Sequence, residues 1–111
     1  MVPYMHLTTV ATSPSYGTSA MAAIKVGGGL DRGSANEQLY LRGLRGPNGE
    51  IIEYEREGSC CGFQTPNAEF GGLLDIYTIT WKGAEKPLRL YINMYDPGDA
   101  LVPKGLTARN D

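Results

Sequence analysis

The hexapeptide GSCCGF at 58–63 holds both cysteines of the chain, side by side. Thiols are its most reactive side chains, so the first question is what an adjacent pair can do. Neighbouring Cα atoms across a trans peptide sit about 3.8 Å apart, below the ~4.4–6.8 Å usual for disulfides, so a Cys60–Cys61 bond requires a distorted backbone. If the chain is extended here, successive side chains point to opposite faces, sending one thiol inward and the other outward. A structural metal site needs about four converging ligands, and the sole histidine, His6, is far upstream. The C-x-x-C spacing of a dithiol oxidoreductase is absent. The pair therefore reads as packed thiols, as a vicinal disulfide that responds to redox state or grips a ligand, as a bridge between chains, or, least of all, as metal ligands. An oxidising compartment shifts that balance toward the bond.

Three other groups of residues carry chemistry. GGGLDRGS at 27–34 runs into a helix N-terminus, where backbone N–H groups and the helix dipole favour an anion, making Gly28, Gly29 and Ser34 a candidate anion site. No lysine precedes Ser34, so this is not a P-loop, and tight turns are the competing reason for the glycines. Arg89, Tyr91, Asn93 and Tyr95 alternate along one face of a strand, with Thr78 and Thr80 alongside. Aromatic bodies with polar tips suit binding surfaces for sugars or proteins, and equally an amphipathic outer face. Glu53, Glu55 and Glu57, and separately Asp96 and Asp99, lack the loop spacing of a calcium site and read as solvated charge. His6 lies alone in a polar arm, which excludes a Ser/His/Asp hydrolase. No catalytic set, metal site or cofactor motif is legible.

The elements that must position these residues follow from pattern. Residues 1–22, rich in Ser and Thr without sustained period, predict an extended N-terminal arm; 23–105 form a single domain, and 106–111 a C-terminal tail. Ile24 and Val26 mark a short strand. SANE at 34–37 predicts a capping box, Ser34 and Glu37 each satisfying the other's backbone donor, at the start of a helix reaching about Arg45 with Tyr40, Leu41 and Leu44 on one face. Gly46, Pro47 and the PNGE turn end it. IIEYERE at 51–57 alternates with Ile52 and Tyr54 inward; 58–72 reads as a glycine-rich loop; LLDIYTITW at 73–81 and LRLYINMY at 88–95 alternate as an antiparallel pair. The expected fold is α+β: a small antiparallel sheet of about four strands, in β-α-β-β-β order, with one helix on its apolar face.

At 111 residues the chain buries roughly two thirds of its unfolded surface, enough for a core without a disulfide. A net charge of -2 offers no basic field for nucleic acid. No apolar run approaches the ~20 residues of a membrane span, and the start, MVPYMHLTTV, lacks the cationic and apolar regions of a leader peptide, which leaves open only one removed upstream of residue 1.

Taken in order, IKVGGG, NEQLYLRGLRGPNGE, GSCCGFQTPN, GGLLDIYTITWKG and LYINMYD resemble a family of small bacterial secreted or lipoprotein sequences commonly labelled 2-dehydro-3-deoxyphosphooctonate aldolase, over about residues 16 to 105. Enzymes of that name resemble TIM barrels, which take ~250 residues, so the label does not extend to this chain. The resemblance implies a periplasmic or outer-membrane-associated protein, with a lipid tether upstream. The expected function is a non-catalytic envelope module that binds a protein or an envelope component. A thiol-based redox or ligand site at Cys60 and Cys61, and an immunity or inhibitor-type protein with a tight cognate partner, are the alternatives.

Overall fold

A computed structural model of the chain describes residues 3–27 and 33–111. The fold is α+β, as the patterning predicts: one helix, α1 (Gly33–Arg42), packs on a four-stranded sheet ordered β1-β5-β4-β3. The strands are β1 (Ile24–Lys25), β3 (Ile52–Thr65), β4 (Ala68–Trp81) and β5 (Leu88–Asn93). β3, β4 and β5 are antiparallel neighbours, but β1 joins the edge of β5 in parallel, so the sheet is mixed. β2 (Leu44–Arg45) pairs with β6 (Thr107–Ala108) as a small second sheet, which places a two-residue strand within the expected C-terminal tail.

Alternation selects the core. Ile52, Tyr77, Ile79, Leu90, Ile92 and Ile24 face one way, and Tyr40, Leu41 and Leu44 from α1 and its exit close over them. The period-3.6 face of the helix and the period-2 faces of the strands thus remove a single apolar layer from water.

Two segments without periodicity also pack. In the N-terminal arm, Ala11 N–H donates to Val102 O (2.8 Å), Met5 N–H to Leu39 O (2.9 Å), and Leu7 and Ala11 are buried. Polar composition hid this because the arm is held through its backbone. At the other end, the Tyr4 hydroxyl donates to the Asp111 carbonyl (2.7 Å), the Arg109 guanidinium lies 4.2 Å over the Tyr4 ring, and Arg45 pairs with the Asp111 carboxylate (3.2 Å). His6 is exposed, with its ring 4.5 Å from that of Tyr4.

The expected loop at 58–72 is instead strand. β3 and β4 run on past the core as a two-stranded ribbon and reverse at Pro66–Asn67. The ladder slips at Arg56/Gly58, Cys60/Phe63 and Phe63/Thr65, so glycines and bulges here bend a ribbon rather than end it.

Candidate functional site

The outer half of the ribbon, the start of α1 and the end of β5 enclose a cleft. Two glycines let them approach: a Cβ on Gly27 would lie 2.4 Å from the Tyr95 carbonyl carbon, and one on Gly33 would lie 2.3 Å from Met94 O. Close backbone approach therefore explains these two members of the glycine-rich run. Gly28 and Gly29 lie outside the described residues. Ser34, the third member of the candidate anion site, is exposed in the first turn of α1 and lines the cleft mouth.

The ribbon tip is anchored by Asp96. Its carboxylate accepts from the Thr65 hydroxyl, from Asn67 Nδ2 (2.9 Å) and from Asn93 Nδ2 (3.0 Å), while Asn93 Oδ1 accepts the backbone N–H groups of Tyr95 (2.8 Å) and Asp96 (3.1 Å). These donors hold the Asp96 carboxyl below the usual aspartate range, Thr65 contributing most. Asp96 is thus a clamp rather than solvated charge. Tyr95 then turns onto the ribbon, edge-on to Phe63 with centroids 5.8 Å apart. Gly72 leaves room for its ring, since a Cβ there would come within 2.8 Å.

The adjacent cysteines form the vicinal disulfide, with Cα atoms 3.7 Å apart. Cys61 takes φ +64°, a left-handed conformation uncommon outside glycine and asparagine. Cys60 is half-buried opposite Leu74, and Cys61 is exposed. Beyond them Phe70 is 95% and Leu73 50% exposed, although both are large and apolar.

The cleft, about 520 Å³, is lined by Glu37 and Gln38 from α1, Arg56 and Ser59 from β3, and Leu73, Asp75 and Tyr77 from β4, with Met94 and Tyr95 beyond β5. Leu73 and Tyr95 also line a second groove, about 720 Å³, between Phe63 and Phe70. The polar wall is a network. Arg56 donates to Asp75 Oδ1 (3.0 Å) and Ser59 Oγ (2.7 Å); the Tyr77 hydroxyl donates to Glu37 Oε1 (3.2 Å) and accepts from Gln38 Nε2 (3.2 Å).

Glu37 is the unexpected member. Instead of closing a capping box with Ser34, it is 2% exposed; no N–H or hydroxyl donor reaches its Oε2, and its carboxyl shares a hydrogen bond with that of Asp75. Burial first, then the neighbouring Asp75, pushes its carboxyl up to about 8, so Glu37 is neutral at neutral pH and carries a proton. The same burial, followed by Glu37, pushes the Tyr77 phenol up to about 12. The sequence does hold a signal for this: 37, 40 and 41 fall on one helical face, so Glu37 shares its stripe with Tyr40 and Leu41, although the helix expected to reach Arg45 ends at Arg42 and Leu44 begins β2. The capping motif masked it.

Of the four residues expected on one binding face, Arg89 and Tyr91 stay together: Arg89 is exposed, paired with Glu57 (2.9 Å) and beside the half-buried Tyr91, whereas Asn93 is buried in the turn it organises and Tyr95 belongs to the cleft. Glu53 and Glu55 are exposed. No family model, curated protein or solved structure matches the chain.

Proposed function

We propose that this protein is a non-catalytic binding module of the bacterial cell envelope, periplasmic or held at the outer membrane, and that the outer half of the β3–β4 ribbon with its cleft is the ligand surface. The observation that carries this reading is the pairing of unlike surfaces. Leu73 stands exposed at the rim of a cleft whose inner wall is an ordered polar network, and with the exposed Phe70 it lines the apolar groove that adjoins that cleft. Ligand sites combine a mostly apolar lining with a few fixed polar groups in this way. The envelope assignment rests on the family resemblance, and the α+β fold, unlike an eight-stranded barrel, supports setting the aldolase label aside.

A second reading, redox or ligand sensing by the Cys60–Cys61 bond, draws support from the exposure of Cys61 and from Ser59, which joins the bond to the cleft by lining it one residue upstream.

The test compares two apolar exposures. Immobilised protein carrying Phe70→Ser with Leu73→Ser is expected to lose retention of an envelope fraction, while Ile51→Ser, which alters a residue 74% exposed outside the cleft, keeps it. Equal retention by both variants overturns the assignment.

A further inference from the structure

The cleft contains one carboxyl more than its cations can match. Among the described residues that line it, Glu37, Asp75 and Arg56 are the groups of ordinary acidic or basic charge. Arg56 is committed to Asp75 and Ser59, so no cation pairs with Glu37, and its carboxyl is held to the Asp75 carboxylate through a proton. An anionic ligand would meet two carboxyls and a guanidinium already in use. A divalent ion takes about six or more oxygen ligands, and among the described residues no three His, Cys, Asp or Glu side chains gather to hold one. A primary ammonium has three donors and no acceptor, so it can stand between the two carboxyls in place of the proton they share. The opposite wall is apolar: Leu73, Met94 and the Tyr95 ring.

Building on the proposed role of this cleft as the ligand surface, we infer that it takes a small organic ammonium, a single protonated primary amine on a short apolar body, with the cation between Glu37 and Asp75 and the body against Leu73, Met94 and Tyr95. Binding carries a proton balance. Glu37 is protonated in the empty cleft at neutral pH; the ammonium replaces that proton as the positive charge beside the carboxylate, and one proton leaves to solvent for each cation bound. The groups facing Glu37 are Asp75 and Tyr77 from β4, Arg56 from β3 and, through Gln38, the Tyr54 hydroxyl of β3; Tyr95 completes the cleft. Of these, Tyr77 titrates at about 12 and Arg56 above its ordinary value, so Glu37 supplies the proton.

The test uses phenethylammonium, with 2-phenylethanol as the neutral probe of the same body, titrated calorimetrically into the full chain. An alkylammonium keeps its charge to about pH 10. With Glu37 titrating at about 8, ammonium affinity should be ~50-fold weaker at about pH 6 than at about pH 8, and the binding enthalpy at about pH 6 should vary with buffer ionisation enthalpy as release of one proton requires. The alcohol should bind weakly at both. Glu37→Gln, checked for folding by its melting curve, should abolish the pH dependence; the proton count on the native protein needs no variant. Equal binding of amine and alcohol, with amide shifts at Leu73 and Tyr95, overturns the cation inference and leaves the cleft as a ligand surface. Ammonium binding without proton release, or no binding of the ammonium, overturns the inference; the Phe70 and Leu73 experiment then decides separately whether the surface binds anything.

Discussion

The β3–β4 ribbon is two different objects joined end to end. In its inner half, Ile52 to Arg56 pair with Trp81 to Tyr77 without a slip, and alternate side chains enter a core in which Ile79 is fully buried. In its outer half the same two strands carry three register shifts, a disulfide between neighbours, a non-glycine residue at positive φ and two exposed apolar side chains. The inner half is held by burial, which is non-directional and tolerant of shape, whereas the outer half is held by a few directional contacts to Asp96 and by Tyr95 against Phe63. One hairpin can therefore take its stability from one end and present chemistry at the other.

Substitutions should break the two halves differently. Ile79→Ala should have the largest effect, lowering stability by about 2–5 kcal/mol in denaturant titration, because it opens a cavity in the core. Glu37→Gln tests the junction between halves. The folded carboxyl titrates at about 8 against 4.5 unfolded, so between these values the native state holds the proton and the unfolded state has lost it. Stability therefore falls as pH rises through that window and levels above it. Each tenfold difference in proton affinity between the folded and unfolded carboxyl corresponds to about 1.4 kcal/mol. The glutamine variant should accordingly be more stable than the native chain by a few kcal/mol at high pH and nearly equal to it at low pH. A pH-independent difference would remove Glu37 from this role.

Asp96→Ala should cost about 1–3 kcal/mol by leaving Thr65, Asn67 and Asn93 without their acceptor. Its signature is regional: hydrogen exchange should quicken in residues 58–75 while 76–81 keeps its protection. Asp96 has the opposite sign to Glu37, since its folded carboxyl is depressed. Its contribution is present above the unfolded aspartate value and lost as pH falls through the folded one, so acid should loosen the tip before the core. Replacing both cysteines by serine should have the smallest effect, about 1 kcal/mol or less, because adjacent cysteines close almost no loop. Amide shifts should again be confined to 58–75; a change spreading into Tyr77 and Ile79 would mean the halves are one cooperative unit.

What was legible in the sequence divides along the same line. Ile52, Tyr54, Tyr77, Ile79, Leu90 and Ile92 declared their faces through alternation, and Tyr40 and Leu41 through helical spacing, because burial imposes a period; Leu44 is buried as that spacing required, but from a strand. The outer ribbon declared nothing, since its bulges break the period and its glycines imitate a loop. The Asp96 clamp was hidden because its partners, Thr65, Asn67 and Asn93, meet only after the ribbon folds back. Glu37 was visible in its spacing but obscured by a stronger local motif. The parallel pairing of β1 with β5 depends on contacts between distant segments, which no local pattern encodes.

The tie among Tyr4, Arg45, Arg109 and Asp111 has a consequence for how the molecule is presented. Arg45 precedes Gly46, which packs against Trp81, and Trp81 pairs with Ile52 at the inner end of the ribbon; Pro66–Asn67 stands at the other end, 14 residues along β3. Tyr4 and Asp111 are thus gathered at the pole opposite the ribbon tip, so a protein fixed to a surface through either segment would project that tip outward, as a probe on a stalk does.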